Sequence, residues 1–205
     1  HQWHSQGQGD QRARSWQDAE ECVGYLLREE YTHPALLFLM SSSAGAINLW
    51  NIISRKPFLY KGAIFRNPFL DVLSSLMDPS LPLSNTDYQE FGNPILHQKV
   101  YQQIYAISPY ENITPKEYPA IHICAAEQDY RTPINQVAKF TSRFRKRALD
   151  SEKVRSEMPK GLSVDISETG SHLGEASIKE ENMRACDVFG YMDFIINSSN
   201  DCISN

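Results

Sequence analysis

The chain has 205 residues, of which 41% are hydrophobic, 11% are aromatic and 22% are charged. This apolar content is enough for a folded core, and the length is typical of one domain or two small ones, so wholesale disorder is excluded. The 20 Lys and Arg residues are outnumbered by 25 Asp and Glu residues, which gives a net charge of −5. Without an excess of cations to contact phosphates, the chain does not have the composition of a nucleic-acid-binding protein.

The longest apolar run, Ala35–Met40, is far shorter than the roughly 20 residues that a membrane-spanning helix needs. The polar start, His1–His4, lacks the layout of a signal peptide. The cysteines have no CxxC spacing, which favours reduced thiols over a metal site or a disulfide framework. They are Cys22, Cys124, Cys186 and Cys202. These features predict a cytoplasmic protein with no integral membrane segment, no bound metal and no cofactor.

The first predicted element is a helix over Arg14–Glu30, where apolar residues recur at helical spacing. The apolar run Ala35–Met40 predicts a strand buried on both faces, as in parallel sheets covered by helices. A sharp turn over Ser41–Gly45 then leads into a helix that begins near Ala44 and is stopped by Pro57.

The rest of the chain also alternates strands with helices. Three short apolar segments predict strands: Gly62–Phe65, Ala120–Ala125 and Leu162–Ile166. One helix is opened by Thr132 as N-cap and Pro133 at the first helical position. A closing helix is marked by Met183, Cys186, Phe189 and Phe194. This alternation predicts an α/β fold with a mostly parallel sheet flanked by helices.

Two stretches between these elements have a different character. Residues 66–118 contain many prolines and aromatics, which predict short helices and turns of the kind that shape substrate sites. The charged stretch Lys146–Lys160 predicts a surface loop or an insertion.

Three reactive residues follow the predicted strands: Ser43, Asp129 and His172. Ligands of open α/β sheets bind at the carboxyl ends of the strands, and the order Ser, Asp, His is that of α/β-hydrolases. A serine hydroxyl becomes a good nucleophile when an imidazole takes its proton, and a carboxylate holds that imidazole in the correct tautomer. The N–H of Ala44, at the start of the following helix, is the natural donor to a developing oxyanion.

Each of these residues also has an ordinary structural interpretation. A serine of the run Ser41–Ser43 can be a loop or capping residue. Asp129 can form a surface ion pair with Arg131, and His172 can be a solvent-exposed loop residue. Residue types and order alone support the triad and these alternatives about equally.

The chain resembles the prolyl oligopeptidase family of serine peptidases, on the branch of oligopeptidase B and the prolyl endopeptidase-like proteins. The matching segments follow the family's order: Trp3–His4, Ser41–Ala46, Asn67–Leu73, Met77–Leu83, Phe91–Pro94, Ser108–Tyr110 and Tyr118–Pro119. The resemblance implies an α/β-hydrolase fold and a serine-type endopeptidase, with Ser43 as the nucleophile, Asp129 as the acid and His172 as the base.

The resemblance also implies substrates and partners. The family cleaves short peptides, its prolyl endopeptidase-like branch adds esters and thioesters as a substrate class, and a β-propeller domain screens the active site. In the oligopeptidase B branch, acidic residues help select a basic residue before the scissile bond. The expected substrate-binding residues here are Asp87, Glu90 and Arg131, and because Gln89 is uncharged, strong basic selectivity is not expected.

We expect residues 1–205 to form the C-terminal part of an α/β-hydrolase peptidase domain, with the first strands of the sheet and the propeller upstream. The leading hypothesis is a serine hydrolase that works through an acyl-enzyme on Ser43. The alternative is a weak or non-catalytic hydrolase-fold protein that acts as a binding or scaffold module. It is favoured by Ser41 and Ala46, which replace glycines of the family's turn, and by a second oxyanion donor that lies outside the chain.

Overall fold

The computed structural model describes residues 2–148 and 161–198. Four strands form one parallel sheet in the order β1-β2-β3-β4. The strands are β1 (Phe38–Ser42), β2 (Gly62–Arg66), β3 (Ala120–Ala126) and β4 (Leu162–Ser167). The helices are α1 (Gln2–Ser5), α2 (Ala13–Arg28), α3 (Gly45–Arg55), α4 (Val72–Leu76), α5 (Ser84–Phe91), α6 (Gln98–Ile107), α7 (Ile134–Ala148) and α8 (Ile178–Asn197). The predicted α/β architecture with a parallel sheet is confirmed.

The sheet is covered on both faces. On one face, Ile123 of β3 belongs to the main core together with Trp50 of α3 and Phe140 of α7. The rings of Trp50 and Phe140 meet edge to face with centroids 5.1 Å apart. On the other face, Cys124 of β3 packs with Val188 of α8. Because helices lie on both sides of β3, every residue of that strand is buried. The prediction of burial on both faces concerns the run Ala35–Met40 and is wrong there, because every residue of β1 is partly or fully exposed.

The first strand begins later than the sequence predicts. The prediction starts at Ala35, but Pro34–Leu36 forms a 3-10 turn and β1 covers only Phe38–Ser42. The imidazole Nδ1 of His33 accepts a hydrogen bond from the Ala35 N–H at 3.2 Å, which caps this turn. The strand therefore starts only where its pairing with Gly62 of β2 begins.

The helix α8 is present as predicted, but the apolar residues that mark it lie on its exposed side. The exposed residues are Met183, Cys186, Phe189 and Phe194. The buried residues of α8 are Arg184, Val188 and Ile195. The helix therefore packs on the sheet through a different face from the one that its apolar pattern indicates.

The two intervening stretches have different outcomes. Residues 66–118 contain the short helices α4 to α6, in agreement with the prediction. The loop predicted over Lys146–Lys160 is wrong at its start, because α7 continues to Ala148. The rest of that stretch, 149–160, lies outside the described residues.

Within residues 2–148 and 161–198, no helix combines the length and the hydropathy needed to cross a membrane. In the same residues, no three His, Cys, Asp or Glu side chains gather in an arrangement that could hold a metal ion. The thiols of Cys22, Cys124 and Cys186 are free, and Cys202 lies outside the described residues.

Candidate active site

Ser43 follows β1 directly and has a φ of +50°, in the left-handed region that residues other than glycine rarely adopt. Its N–H donates to the carbonyl of Arg66 at 3.0 Å, and its carbonyl accepts from the N–H of Phe69 at 3.0 Å. The turn is also crowded, because a Cβ added at Gly45 would lie 3.3 Å from the Cβ of Ser41. A strained turn from strand to helix is the kind of position at which α/β-hydrolases carry their nucleophile.

The helix end beside Ser43 offers a hydrogen-bond donor. Ala44 is the N-cap of α3, and its N–H has no acceptor among the described residues. The first N–H groups of a helix lack partners within the helix and lie at the positive end of its dipole. Ala44 therefore lies where the sequence predicts an oxyanion donor, with its N–H unoccupied.

Asp129 and His172 contact each other. The Nδ1 of His172 lies 2.8 Å from the Oδ2 of Asp129, and the two side chains are only 11% and 1% exposed. Arg131 reaches Asp129 through its backbone N–H at 2.8 Å, and no ion pair joins their side chains in the part of the chain that the structure describes. The geometry thus excludes both a surface ion pair at Asp129 and a solvent-exposed imidazole at His172.

The surroundings of Asp129 favour its ionised form. Burial by itself raises the pKa of the Asp129 carboxyl, but hydrogen bonds from Thr132, His172 and Arg131 outweigh burial and hold the pKa below its ordinary value. An ionised carboxylate keeps the proton of His172 on Nδ1, which leaves Nε2 as the nitrogen that can accept a proton.

Ser43 and His172 line one polar cleft of about 220 Å³ at the carboxyl ends of the strands. Asn67 lines it too, as do Arg66 and Glu181, which form an ion pair with each other. Among the described residues, no hydrogen bond joins the Ser43 hydroxyl to His172. Such bonds are often long in resting enzymes and tighten when substrate binds.

The three residues predicted to bind substrate are not brought together. Asp87 and Arg131 line a second, smaller hollow, and burial raises the pKa of the Asp87 carboxyl. Glu90 instead accepts hydrogen bonds from Arg12 at 2.9 Å and from Gln8 at 2.8 Å. Burial acts to raise the pKa of Glu90, but these bonds and the Arg12 cation lower it overall. Glu90 is therefore already paired with the N-terminal part of the chain.

Two residues of the site are missed by the sequence prediction. Thr132 is expected to cap a helix, but α7 begins only at Ile134, and the Thr132 hydroxyl instead donates to Asp129 Oδ2 at 2.7 Å. Asn67 lies in the cleft and donates through its amide to the loop that carries His172. The available signal is position: Asn67 directly follows β2 at the sheet edge where Ser43 follows β1.

Comparison with known proteins places these observations in a family. Residues 1–160 match the family model described as the prolyl oligopeptidase family. The protein "Prolyl endopeptidase-like" of Xenopus laevis is 34% identical over 182 residues, which cover 87% of this chain and 26% of that protein. The chain thus spans about a quarter of the length of this relative.

Solved structures agree with the sequence comparison. Oligopeptidase B from Trypanosoma brucei, with covalently bound antipain, superposes with a TM-score of 0.74 at 26% identity over 83% of this chain and 23% of that one. A structure from a study of two prolyl endopeptidases superposes with a TM-score of 0.83 at 21% identity over 95% of this chain and 27% of that one. With its parallel sheet, its strained serine turn and a family match over most of its length, this chain belongs to the prolyl oligopeptidase family of peptidases.

Proposed function

We propose that this chain carries the nucleophile, the acid and the base of a serine peptidase that cleaves short peptides, or ester and thioester bonds, through an acyl-enzyme. The observation that carries the proposal is the 2.8 Å contact between His172 Nδ1 and Asp129 Oδ2, in a site that also holds Ser43 on its strained turn. Membership of the prolyl oligopeptidase family supports peptides as the substrate class.

In the proposed reaction, the Ser43 hydroxyl oxygen attacks the substrate carbonyl carbon while His172 Nε2 takes the hydroxyl proton. Asp129 stabilises the imidazolium through the bond to Nδ1, and the N–H of Ala44 stabilises the negative oxygen of the tetrahedral intermediate. Collapse of the intermediate breaks the bond to the leaving group, which receives the proton from Nε2. Water then attacks the acyl carbonyl carbon while His172 Nε2 takes a proton from the water. The bond to Ser43 breaks, Ser43 receives that proton from Nε2, and the acid is released.

The acidic side chains near the cleft support only a modest preference for basic substrates. Asp87 shares its hollow with the cation Arg131, and burial raises the pKa of the Asp87 carboxyl. Glu90 is already neutralised by Arg12. The two carboxylates are therefore not both available to a substrate arginine or lysine, as they would be in a site with strong basic selectivity.

The same proposal covers the larger protein. Residues 1–205 form the C-terminal part of an α/β-hydrolase domain in the cytoplasm, and a β-propeller domain screens the cleft from large substrates. The chain covers about a quarter of the lengths of the relatives and neighbours it matches, which supports a larger protein.

A fluorophosphonate probe tests the proposal, because it forms a stable phosphonyl ester only with an activated serine. Intact-protein mass spectrometry of the purified chain should find one adduct per molecule, and the adduct should be absent from Ser43→Ala. Ser42→Ala is the matched control and should be labelled like the unmodified chain. His172→Ala should be labelled more slowly by about 10⁴-fold or more, the order of the loss when one triad member is removed.

Two outcomes would contradict the proposal. One is an unmodified chain that takes up no probe, which would favour the binding or scaffold alternative. The other is a Ser43→Ala variant that is labelled as fast as the unmodified chain, which would place the reactive group elsewhere.

A further inference from the structure

We propose that Asn67 is a positioning residue of the triad, which fixes the loop that carries His172 to the end of β2. The inference rests on the proposed function and adds a residue that the triad itself does not include. Asn67 occupies the first position after β2, the strand that lies between β1 and β3 in the sheet. It is therefore placed between the segments that carry Ser43 and Asp129.

Backbone groups at the end of β2 contact two of the three segments that carry the proposed triad, the Ser43 turn and the Asp129 loop. The N–H of Asn67 donates to the carbonyl of Cys124 on β3 at 2.8 Å, and its carbonyl lies 3.0 Å from the hydroxyl of Thr132, which also bonds Asp129. On the other side, the preceding residue, Arg66, accepts the N–H of Ser43 through its carbonyl at 3.0 Å. The end of β2 thus contacts both the nucleophile turn and the acid loop.

The side chain of Asn67 makes the third connection. Its amide Nδ2 donates to the carbonyl of Ser171 at 2.9 Å and to that of His172 at 3.3 Å. Only the NH₂ end of an amide can donate to two carbonyls, so these acceptors fix its orientation. The Oδ1 has no hydrogen-bond partner among the described residues, which leaves the NH₂ group as the part of the side chain that holds the loop.

The backbone conformation suits this residue type. Asn67 has a φ of +41°, in the left-handed region where glycine is free of strain and where Asn and Asp are the best tolerated of the other residues. Asparagine therefore meets two requirements at once: it adopts the turn after β2, and it supplies a donor to the loop between β4 and α8. Glycine and aspartate both tolerate the turn, but neither supplies the donor.

The loop needs such a support because much of its surface faces solvent. Leu173, the residue after His172, is 90% exposed, whereas the His172 side chain is 11% exposed. The bond from Asn67 reaches the carbonyl of His172 itself, so it sets where that residue's backbone places the ring. A displacement of about 1 Å at a reacting group can cost about 10²-fold in rate.

The test compares Asn67→Gly and Asn67→Asp with the unmodified chain. Both variants keep a backbone that tolerates a φ of +41°, and both lose the NH₂ donor. Asn197→Asp is the matched control, since Asn197 is exposed at the far end of α8. The measured quantity is the second-order rate constant for fluorophosphonate labelling of Ser43 as a function of pH, with thermal unfolding as the check on folding.

We expect both Asn67 variants to be labelled about 10-fold to 10²-fold more slowly, and Asn197→Asp to be labelled at the unmodified rate. The pH dependence separates positioning from a general loss of structure. The carboxylate of Asn67→Asp lines the same cleft as His172, so we expect it to move the acid limb of the profile to higher pH, whereas Asn67→Gly leaves the limb in place. If Asn67→Gly fails to fold, Asn67→Asp carries the test.

The inference is overturned if the unmodified chain is labelled and both Asn67 variants are labelled at the same rate with the same pH profile. That result leaves the proposed function intact. An unmodified chain that takes up no probe is a different result, because it contradicts the proposed function and removes the basis for a positioning residue.

Discussion

Thr132 supplies two of the hydrogen-bond donors that reach the Asp129 carboxylate. Its backbone N–H donates to Oδ1 at 2.9 Å, and its hydroxyl donates to Oδ2 at 2.7 Å, the same oxygen that His172 contacts. The carboxylate is buried, so each lost donor leaves a charged oxygen with fewer partners away from water. The hydroxyl of Thr132 therefore bears on both the folding and the chemistry of this site.

We predict that Thr132→Val, which keeps the shape of the side chain and removes the hydroxyl, raises the pKa of Asp129 and lowers the labelling rate of Ser43 by about 10-fold. The free energy of unfolding should fall by about 1.5–3 kcal/mol, the usual value for a hydrogen bond to a charged group. Urea unfolding measures the free energy of unfolding, and probe kinetics measure the labelling rate. Thr132→Ser keeps the hydroxyl and is the control, and equal labelling rates for the two variants would refute the assigned role.

The sequence points to the members of the proposed triad better than to the residues that support them. Ser43, Asp129 and His172 could be proposed because each follows a strand, and parallel strands end at one edge of the sheet. The role of Thr132 could not, because a hydroxyl before a helix also predicts an N-cap. Which interaction forms depends on the nearby Asp129 carboxylate, and that contact arises only when the chain is folded.

At the scale of elements, α8 packs on β3 through an aromatic stack. The His122 ring lies 4.7 Å from the Tyr191 ring, and neither ring nitrogen of His122 has a hydrogen-bond partner among the described residues. Burial is the largest influence on His122 and lowers its pKa overall. Asp165 of β4 and Asp187 of α8 act to raise this pKa, and Arg184 of α8 acts to lower it. The folded protein therefore holds His122 in its neutral form more strongly than the unfolded chain does.

This difference predicts a loss of stability in mild acid. Because the unfolded chain gains a proton on this histidine near its ordinary pKa of about 6.5, and the folded protein only at lower pH, the unfolded state binds more protons as the pH falls. The contribution of His122 to the free energy of unfolding is present above about pH 6.5 and is lost as the pH falls below that value. His122→Phe keeps an aromatic stack without the titration and should show a smaller fall in unfolding free energy between about pH 7 and pH 5.

Urea unfolding at the two pH values measures this effect, and His97→Gln is the control because His97 is an exposed histidine on the same chain. The control should lose as much stability as the unmodified protein. An equal fall for His122→Phe and the unmodified protein would contradict the assignment of acid sensitivity to this stack.

The same helix illustrates how far element prediction reaches. Alternation of apolar segments predicts the strands and helices in order, but the buried face of α8 includes a cation. Arg184 forms ion pairs with Glu175 and Asp165 and donates to the carbonyl of Ala125 on β3. Hydrophobic periodicity contains no information about a buried arginine that is satisfied by partners from other elements, so the pattern indicates the wrong face.

At the scale of the whole molecule, the sheet formed by the described residues has two edge strands, β1 and β4. In the described part of the chain, β1 pairs only with β2, so the other edge of β1 offers unpaired backbone groups. Met40, in the middle of this strand, is 53% exposed. Edge strands with apolar side chains readily pair with another chain unless they are covered.

We therefore predict that the purified 205-residue chain self-associates as its concentration rises. Met40→Lys should weaken this association, because a lysine on an edge strand opposes pairing. Met77→Lys is the control, since Met77 is also exposed but lies after α4, away from the edge. Sedimentation velocity over a range of concentrations measures the effect, and equal association of both variants would locate the contact elsewhere.

The central claim is that Ser43, His172 and Asp129 act together, and a crystal structure of the phosphonylated chain tests it most directly. The account predicts phosphorus bonded to the Ser43 Oγ, a phosphonyl oxygen within about 3 Å of the Ala44 N, and the Nε2 of His172 facing the adduct while Nδ1 still contacts Asp129. Phosphorus on another residue, or an imidazole turned away from an adduct on Ser43, would contradict it.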